Sequence, residues 1–356
     1  MKKTKYLILA LVAVLGLIWT GWLYFAPNAG SYVSGRVVAV KNSLAQKTTD
    51  EYQNKDQRMD QRLTVQTAQG VKHFDNSYVA SQILTQKYRR NDRVLLARHG
   101  GGLVGLRRDW VVALALTIFA CLLIFVTEKR SLFLAFSLVL NCLLFYGAIR
   151  LDIVENGTRI FTIYGLACLL FSLFSLLLAQ GPSTKMLATL LATCLSTILA
   201  FVICCGIMRL THESGIKYES VEFATQSPRS IFLAQTMLGL LGAVMDEATD
   251  IIASLSSLMQ EDPALSKKQF WHAGLEIGRE IMGPLINVLV LIFMAEALPM
   301  TILYLRDNNT LAYTFQFGLS LGILQSLVSA IGIVLNIPVA ALCSLLFYKN
   351  KKEVAA

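Results

Sequence analysis

Residues Leu238–Leu258 read LGLLGAVMDEATDIIASLSSL. The run is long and apolar enough to cross a bilayer, yet Asp246, Glu247 and Asp250 fall in its middle. Placed at about 100° per residue, Gln235, Gly239, Gly242, Asp246, Thr249, Asp250, Ala253 and Ser257 share one face. Leu241, Val244, Ile251, Ile252 and Leu255 lie opposite, and Glu247 and Ser254 sit at the edge of the polar face. The stretch is an amphipathic helix at membrane depth.

The next apolar segment repeats the pattern. WHAGLEIGREIMGPLINVLVL (Trp271–Leu291) puts His272, Glu276, Arg279, Glu280, Gly283 and Asn287 on one face. Ile277, Ile281, Leu285, Val288 and Leu289 lie on the other. Pro284 predicts a kink or local break beside the charges. Gly239, Gly242 and Gly283 read as packing positions, because small residues let helices approach. A charge at the bilayer centre costs about 2.5–3.5 kcal/mol, while each Leu or Ile returns only about 0.3–0.6 kcal/mol. The polar faces are therefore expected to meet each other, or water, inside the bundle. That expectation gathers Asp246, Asp250, Glu276, Arg279, Glu280 and Asn287 in one inter-helix cluster, with Arg279 paired to Glu276 or Asp246.

The rest of the chain fits this setting. It has 356 residues, of which 55% are hydrophobic, and a mean hydropathy of +0.56. Both exceed what a soluble domain carries. A spanning helix needs about 20 apolar residues, and eight segments qualify. They lie near Tyr6–Ala26, Trp110–Thr127, Ser131–Ile149, Ile160–Ala179, Met186–Met208, Ile231–Leu258, Ile277–Leu305 and Phe315–Tyr348. The last is too long for one straight span, and Asn336 and Pro338 are expected to kink or divide it. The first follows a basic KKTK and lacks a good cleavage site, so it reads as an uncleaved anchor.

Four regions result: an anchor at 1–27, a β-rich domain at 28–109, a seven-helix membrane domain at 110–348 and a basic tail at 349–356. Lys and Arg in the short loops place both termini in the cytoplasm of a plasma-membrane protein, with residues 28–109 outside. The latter block shows β-branched alternation and turn signals, as for a small five-stranded barrel, with the polar KTTDEYQNKDQRMDQ as a loop or short helix. It holds fourteen Lys and Arg against seven Asp and Glu. That charge reads as a solvated face or as attraction to an anionic surface such as membrane lipid.

Several chemistries fall away. The seven cysteines lie in apolar runs without a CxxC pair, so neither disulfides nor a metal site is expected. THESG at Thr211–Gly215 lacks the second His of HExxH. HGGG at His99–Gly102 has the composition of a lipase oxyanion loop, but no GxSxG accompanies it. Paired-aspartate proteolysis needs one Asp on each of two helices, and here the second helix offers Glu. No nucleic-acid motif accompanies the net charge of +9. The reading is of a non-enzyme without a cofactor.

The two charged helices also resemble the paired signature of the YibE/F-like membrane protein family. Gly242, Ala243, Asp246, Gly278, Arg279, Gly283 and Asn287 match its pattern. Glu280 stands where the family carries Asp, Pro284 where it carries Thr, and Glu247 and Asp250 add acidity. More loosely, the resemblance covers the whole chain and points to the longer branch with a soluble domain. It implies a multi-pass protein without an established activity. It also implies a homo-oligomer, or a heteromer with a related chain lacking the soluble domain. Two functions stay open. One is a transporter or transport subunit that handles a cation or protons through Asp246, Glu247, Asp250, Glu276, Arg279, Glu280 and Asn287. The other is a non-transporting structural or assembly subunit of a cell-envelope complex, in which the charges fix helix register.

Overall fold

The computed structural model describes residues 2–26, 28–43, 46–49, 55–82, 85–98, 102–126, 131–218, 227–263 and 265–347. His99–Gly101 of the HGGG stretch and the basic tail lie outside the described residues. Among the described residues, eight helices, counting the last as one span, are long and apolar enough to cross a membrane. The chain divides into two compact units, Met1–Leu132 and Phe133–Ala356.

The first unit opens with α1 (Lys2–Phe25) and closes with α2 (Asp109–Val126). They pack on each other, and Gly16 allows it, since a Cβ there would lie 2.2 Å from Thr117 Cγ2. Between them stands one antiparallel sheet. Its strands are β1 (Asn28–Ala29), β2 (Tyr32–Asn42), β3 (Gln46–Thr49), β4 (Lys55–Thr67), β5 (Gly70–Val79), β6 (Arg93–Ala97) and β7 (Leu103–Leu106). The order is β3-β4-β2-β6-β7, with β1 on β2 and β5 on β4. Seven strands thus replace the five expected. The polar stretch read as a loop supplies β3 and the start of β4 instead, paired from Gln46↔Arg58 to Thr49↔Lys55. Its polarity reflects exposure on both faces, and pairing with β5 holds it in place.

Val37, Leu63, Val65, Tyr88, Val94 and Leu96 form the core of the sheet. Gln61 is buried beside them, and its amide donates to Asn42 Oδ1 and the Tyr88 carbonyl while its oxygen accepts from Tyr88 N–H. One glutamine thereby ties the 85–92 connection to the sheet. Arg107 does the same at the membrane end. Its guanidinium donates to both Asp109 oxygens and to the Ala26 carbonyl, and it is 3% exposed. The residue just after β7 is thus fastened to the exit of α1 and the start of α2. By packing, this unit runs one helix further than the composition boundary at residue 110, because α2 is the partner of α1.

The second unit holds α3 (Ser131–Val154), α4 (Ile160–Gln180), α5 (Thr184–Leu210), α6 (Pro228–Glu261) and α7 (Lys267–Arg306). A short α8 (Leu311–Thr314), a π-helical turn (Phe315–Leu319) and α9 (Ser320–Ser344) complete it. Capping is legible in the sequence. Ser183 caps α5 by accepting from Met186 N–H, and Ser266 with Gln269 forms a capping box on α7. α5, α6 and α9 pack mutually, and α7 packs on α9 and α6.

Neither of the two proline-bearing helices is divided at its prolines. α9 runs through Asn336 and Pro338 without interruption, and the irregularity lies instead at the π turn some twenty residues earlier. α7 likewise continues through Pro284 and Pro299. A proline removes one N–H and leaves the remaining ladder of a long helix able to continue.

Candidate functional site

The face assignments made from period 3.6 hold on α6. Gln235, Gly239, Gly242, Asp246, Asp250, Ala253 and Ser257 are exposed in sequence-spaced register. Leu241, Val244, Ile251, Ile252 and Leu255 are buried opposite.

On α7, His272, Glu276, Arg279, Glu280, Gly283, Pro284 and Asn287 form a second exposed stripe. The buried residues of this helix are Phe270, Gly274 and Gly278. A Cβ on Gly274 would lie 2.9 Å from Ala341 Cβ, and one on Gly278 2.5 Å from Ile337 Cγ2. The face toward α9 is therefore the small-residue face, and the charged stripe lies roughly opposite it around the helix.

The expected inter-helix cluster is thus not formed within one chain. The charged members of both stripes are exposed. Among the described residues, no ion pair joins Arg279 to Glu276 or Asp246. The packing reading of the glycines is also redistributed. Gly242 and Gly283 have no neighbour within 4 Å of an added Cβ, and Gly239 meets only Gln325 Nε2 at 3.0 Å. In the second unit, Gly274, Gly278, Gly322 and Gly332 are glycines that let helices approach.

Glu247 parts company with its neighbours. It is fully buried, on the inward side of the polar edge where the helical wheel put it. Asn336 Nδ2 donates to Glu247 Oε2 at 2.9 Å, and Ser196 Oγ donates to Asn336 Oδ1 at 3.1 Å. This line of polar groups joins α6, α9 and α5 at mid-length. Sequence reading missed Ser196, and it read Asn336 only as a kink position and not as a hydrogen-bonding one. The only available signal was that each is a lone polar residue in an apolar run, which is also how a back-bonded serine looks.

A second feature lies at the end of the bundle where α6 begins, α7 ends and α9 starts. A cavity of about 310 Å³ opens there, lined by Gln235, Glu296, Tyr304, Gln325 and Ser329 among apolar side chains. Phe317 and Gly318 of the π turn form part of its wall, and such turns recur at functional sites. Glu296 is a carboxylate that sequence reading passed over, since it stands alone in IFMAEALPM.

Among the described residues, eight long apolar helices, with carboxylates on α6 and α7, and a small sheet between the first two define a multi-pass membrane protein with an ionisable membrane domain. The YibE/F-like protein family matches residues 115–350, and the YibE/F family N-terminal domain matches residues 31–105. The chain belongs to the YibE/F-like family. No curated protein and no solved structure matches it.

Proposed function

We propose that the protein is a transporter or transport subunit of the plasma membrane, handling a cation or protons through its acidic membrane helices. Both termini face the cytoplasm on this reading, and the sheet domain lies outside. The observation that carries it is the exposed position of Asp246 and Asp250 on α6, with no ion pair to a residue of opposite charge among the described residues. Left against lipid, each would cost about 2.5–3.5 kcal/mol. Water or another chain must therefore cover them.

The covering chain is a second copy. The stripe on α7 carries Arg279 among Glu276 and Glu280, and the stripe on α6 carries only acids. A surface with both signs is complementary to itself under a two-fold axis, which is the commonest symmetry of oligomers. Two copies meeting there would enclose carboxylates in a polar seam able to pass a cation.

The test is flux in liposomes. Wild-type protein should dissipate a proton or Na+ gradient, while Asp246→Asn and Glu280→Gln should insert, accumulate and fail to do so. No flux from wild type, with both variants supporting normal growth, would favour the assembly role.

A further inference from the structure

The mid-spans of α5, α6 and α9 enclose a set of oxygens with incomplete partners. Glu247, Asn336 and Ser196 are each fully buried and linked in the order already given. Asn336 Nδ2 also lies 3.4 Å from the Val244 carbonyl. Thr193 and Thr197 are buried on the same face of α5 as Ser196.

Hydroxyls in a helix ordinarily donate to the carbonyl four residues earlier. Ser172 and Thr189 do so here. Thr193 and Thr197 do not: their Oγ1 atoms are buried without a partner, and so is Glu247 Oε1. Three buried oxygens on the mid-spans of α5 and α6 thus lack a partner, one of them the carboxylate's own, and a buried carboxylate calls for a counter-charge.

We propose that Glu247, Asn336, Ser196, Thr193 and Thr197 form an occluded binding site for one dehydrated alkali cation of Na+ size. Charge selects valence. The set holds a single carboxylate and otherwise neutral oxygens, so a monovalent cation neutralises it and a divalent one would leave a buried positive charge. Hardness selects the element class, since every ligand is oxygen. Packing selects size. A Cβ on Gly332, one turn before Asn336, would lie 2.1 Å from Leu240 Cδ1, so the three helices meet too closely for a molecular ligand. A water would satisfy the hydroxyls but not the charge. This site rests on the cation-handling reading above and gives that reading its coupling ion.

The experiment uses full-length protein purified in detergent, with thermal unfolding followed across a NaCl titration. Choline chloride keeps ionic strength constant, at pH 8. The expected result is a saturable rise in Tm with Na+ and none with choline, absent in Glu247→Gln. Thr193→Val keeps shape and loses one ligand, so its apparent Na+ affinity should fall about tenfold with the fold intact. This second variant decides the matter if Glu247→Gln does not fold. Equal Tm in Na+ and choline for wild type would overturn the site. So would an unchanged Na+ response in both variants, or stabilisation of wild type by acid alone. The assay needs no gradient, so absent binding with intact flux refutes this site and spares the transport reading. Intact binding without flux does the reverse.

Discussion

Gly278 and Gly283 are one and a half turns apart on α7, and the sequence gives no reason to treat them differently. Their surroundings do. Gly278 faces α9, where a Cβ would meet Ile337 at 2.5 Å, while Gly283 faces away with nothing within 4 Å. Gly278→Val should therefore lower stability by about 1–3 kcal/mol through overpacking. Gly283→Ala should leave the isolated chain unchanged or slightly more stable, since Ala is favoured over Gly in a helix by up to about 1 kcal/mol. Thermal unfolding of monodisperse protein in detergent measures both. A second contrast concerns Asn336, whose amide is the donor that Glu247 Oε2 has. Asn336→Ala should destabilise by about 1–3 kcal/mol, the cost of leaving a buried polar group unsatisfied. Asn336→Asp sets two carboxyls side by side and should be worse still. Equal stability of Asn336→Ala and wild type would show that Glu247 draws nothing from α9.

At the scale of elements, the helices and their faces were legible and their partners were not. Period 3.6 assigns Leu241, Val244, Ile251 and Leu255 to the inner side of α6, and they are there. The same arithmetic cannot say which of two usable faces of α7 turns inward. One carries charge, while the other carries Phe270, Gly274 and Gly278 and fits Ile337 and Ala341 of α9. Close backbone approach decided the matter, and it depends on where α9 lies, which no local pattern encodes. Glu247 was legible only as a borderline position. One step of 100° from Asp246 moved it from an outward stripe to a buried contact. Placement also changes what the charge variants should do. Asp246→Asn and Glu280→Gln remove no ion pair among the described residues, so both should accumulate to wild-type levels in the membrane. Arg279→Leu likewise breaks no ion pair among the described residues, and its monomer should unfold at the wild-type temperature. Its loss should appear instead as weakened association, read by light scattering in detergent.

At the scale of the molecule, the sheet domain joins the membrane helices through a short, well-tied connection. Arg107 binds both Asp109 and the Ala26 carbonyl, and Arg93 lies 4.0 Å from the ring centre of Tyr24. Removing the Arg107 side chain, as in Arg107→Ala, should loosen the sheet without unfolding it, seen as faster proteolysis near residues 98–108 at unchanged core stability. Ser43 is exposed at the end of β2. Cysteine placed there should react with an impermeant reagent in intact cells if the sheet lies outside, and protection until lysis would reverse the orientation.

The central claim is that the outward charged stripes are covered by a second copy. The direct measurement is oxidative cross-linking in native membranes of single-cysteine variants in a background lacking the seven native cysteines. Gly283→Cys and Asn287→Cys report the α7 stripe, while Ile198→Cys on the exposed side of α5 serves as the control. The account predicts covalent dimers from the stripe positions and monomer from the control. Monomer at Gly283 and Asn287, or dimer formed equally at Ile198, would contradict it.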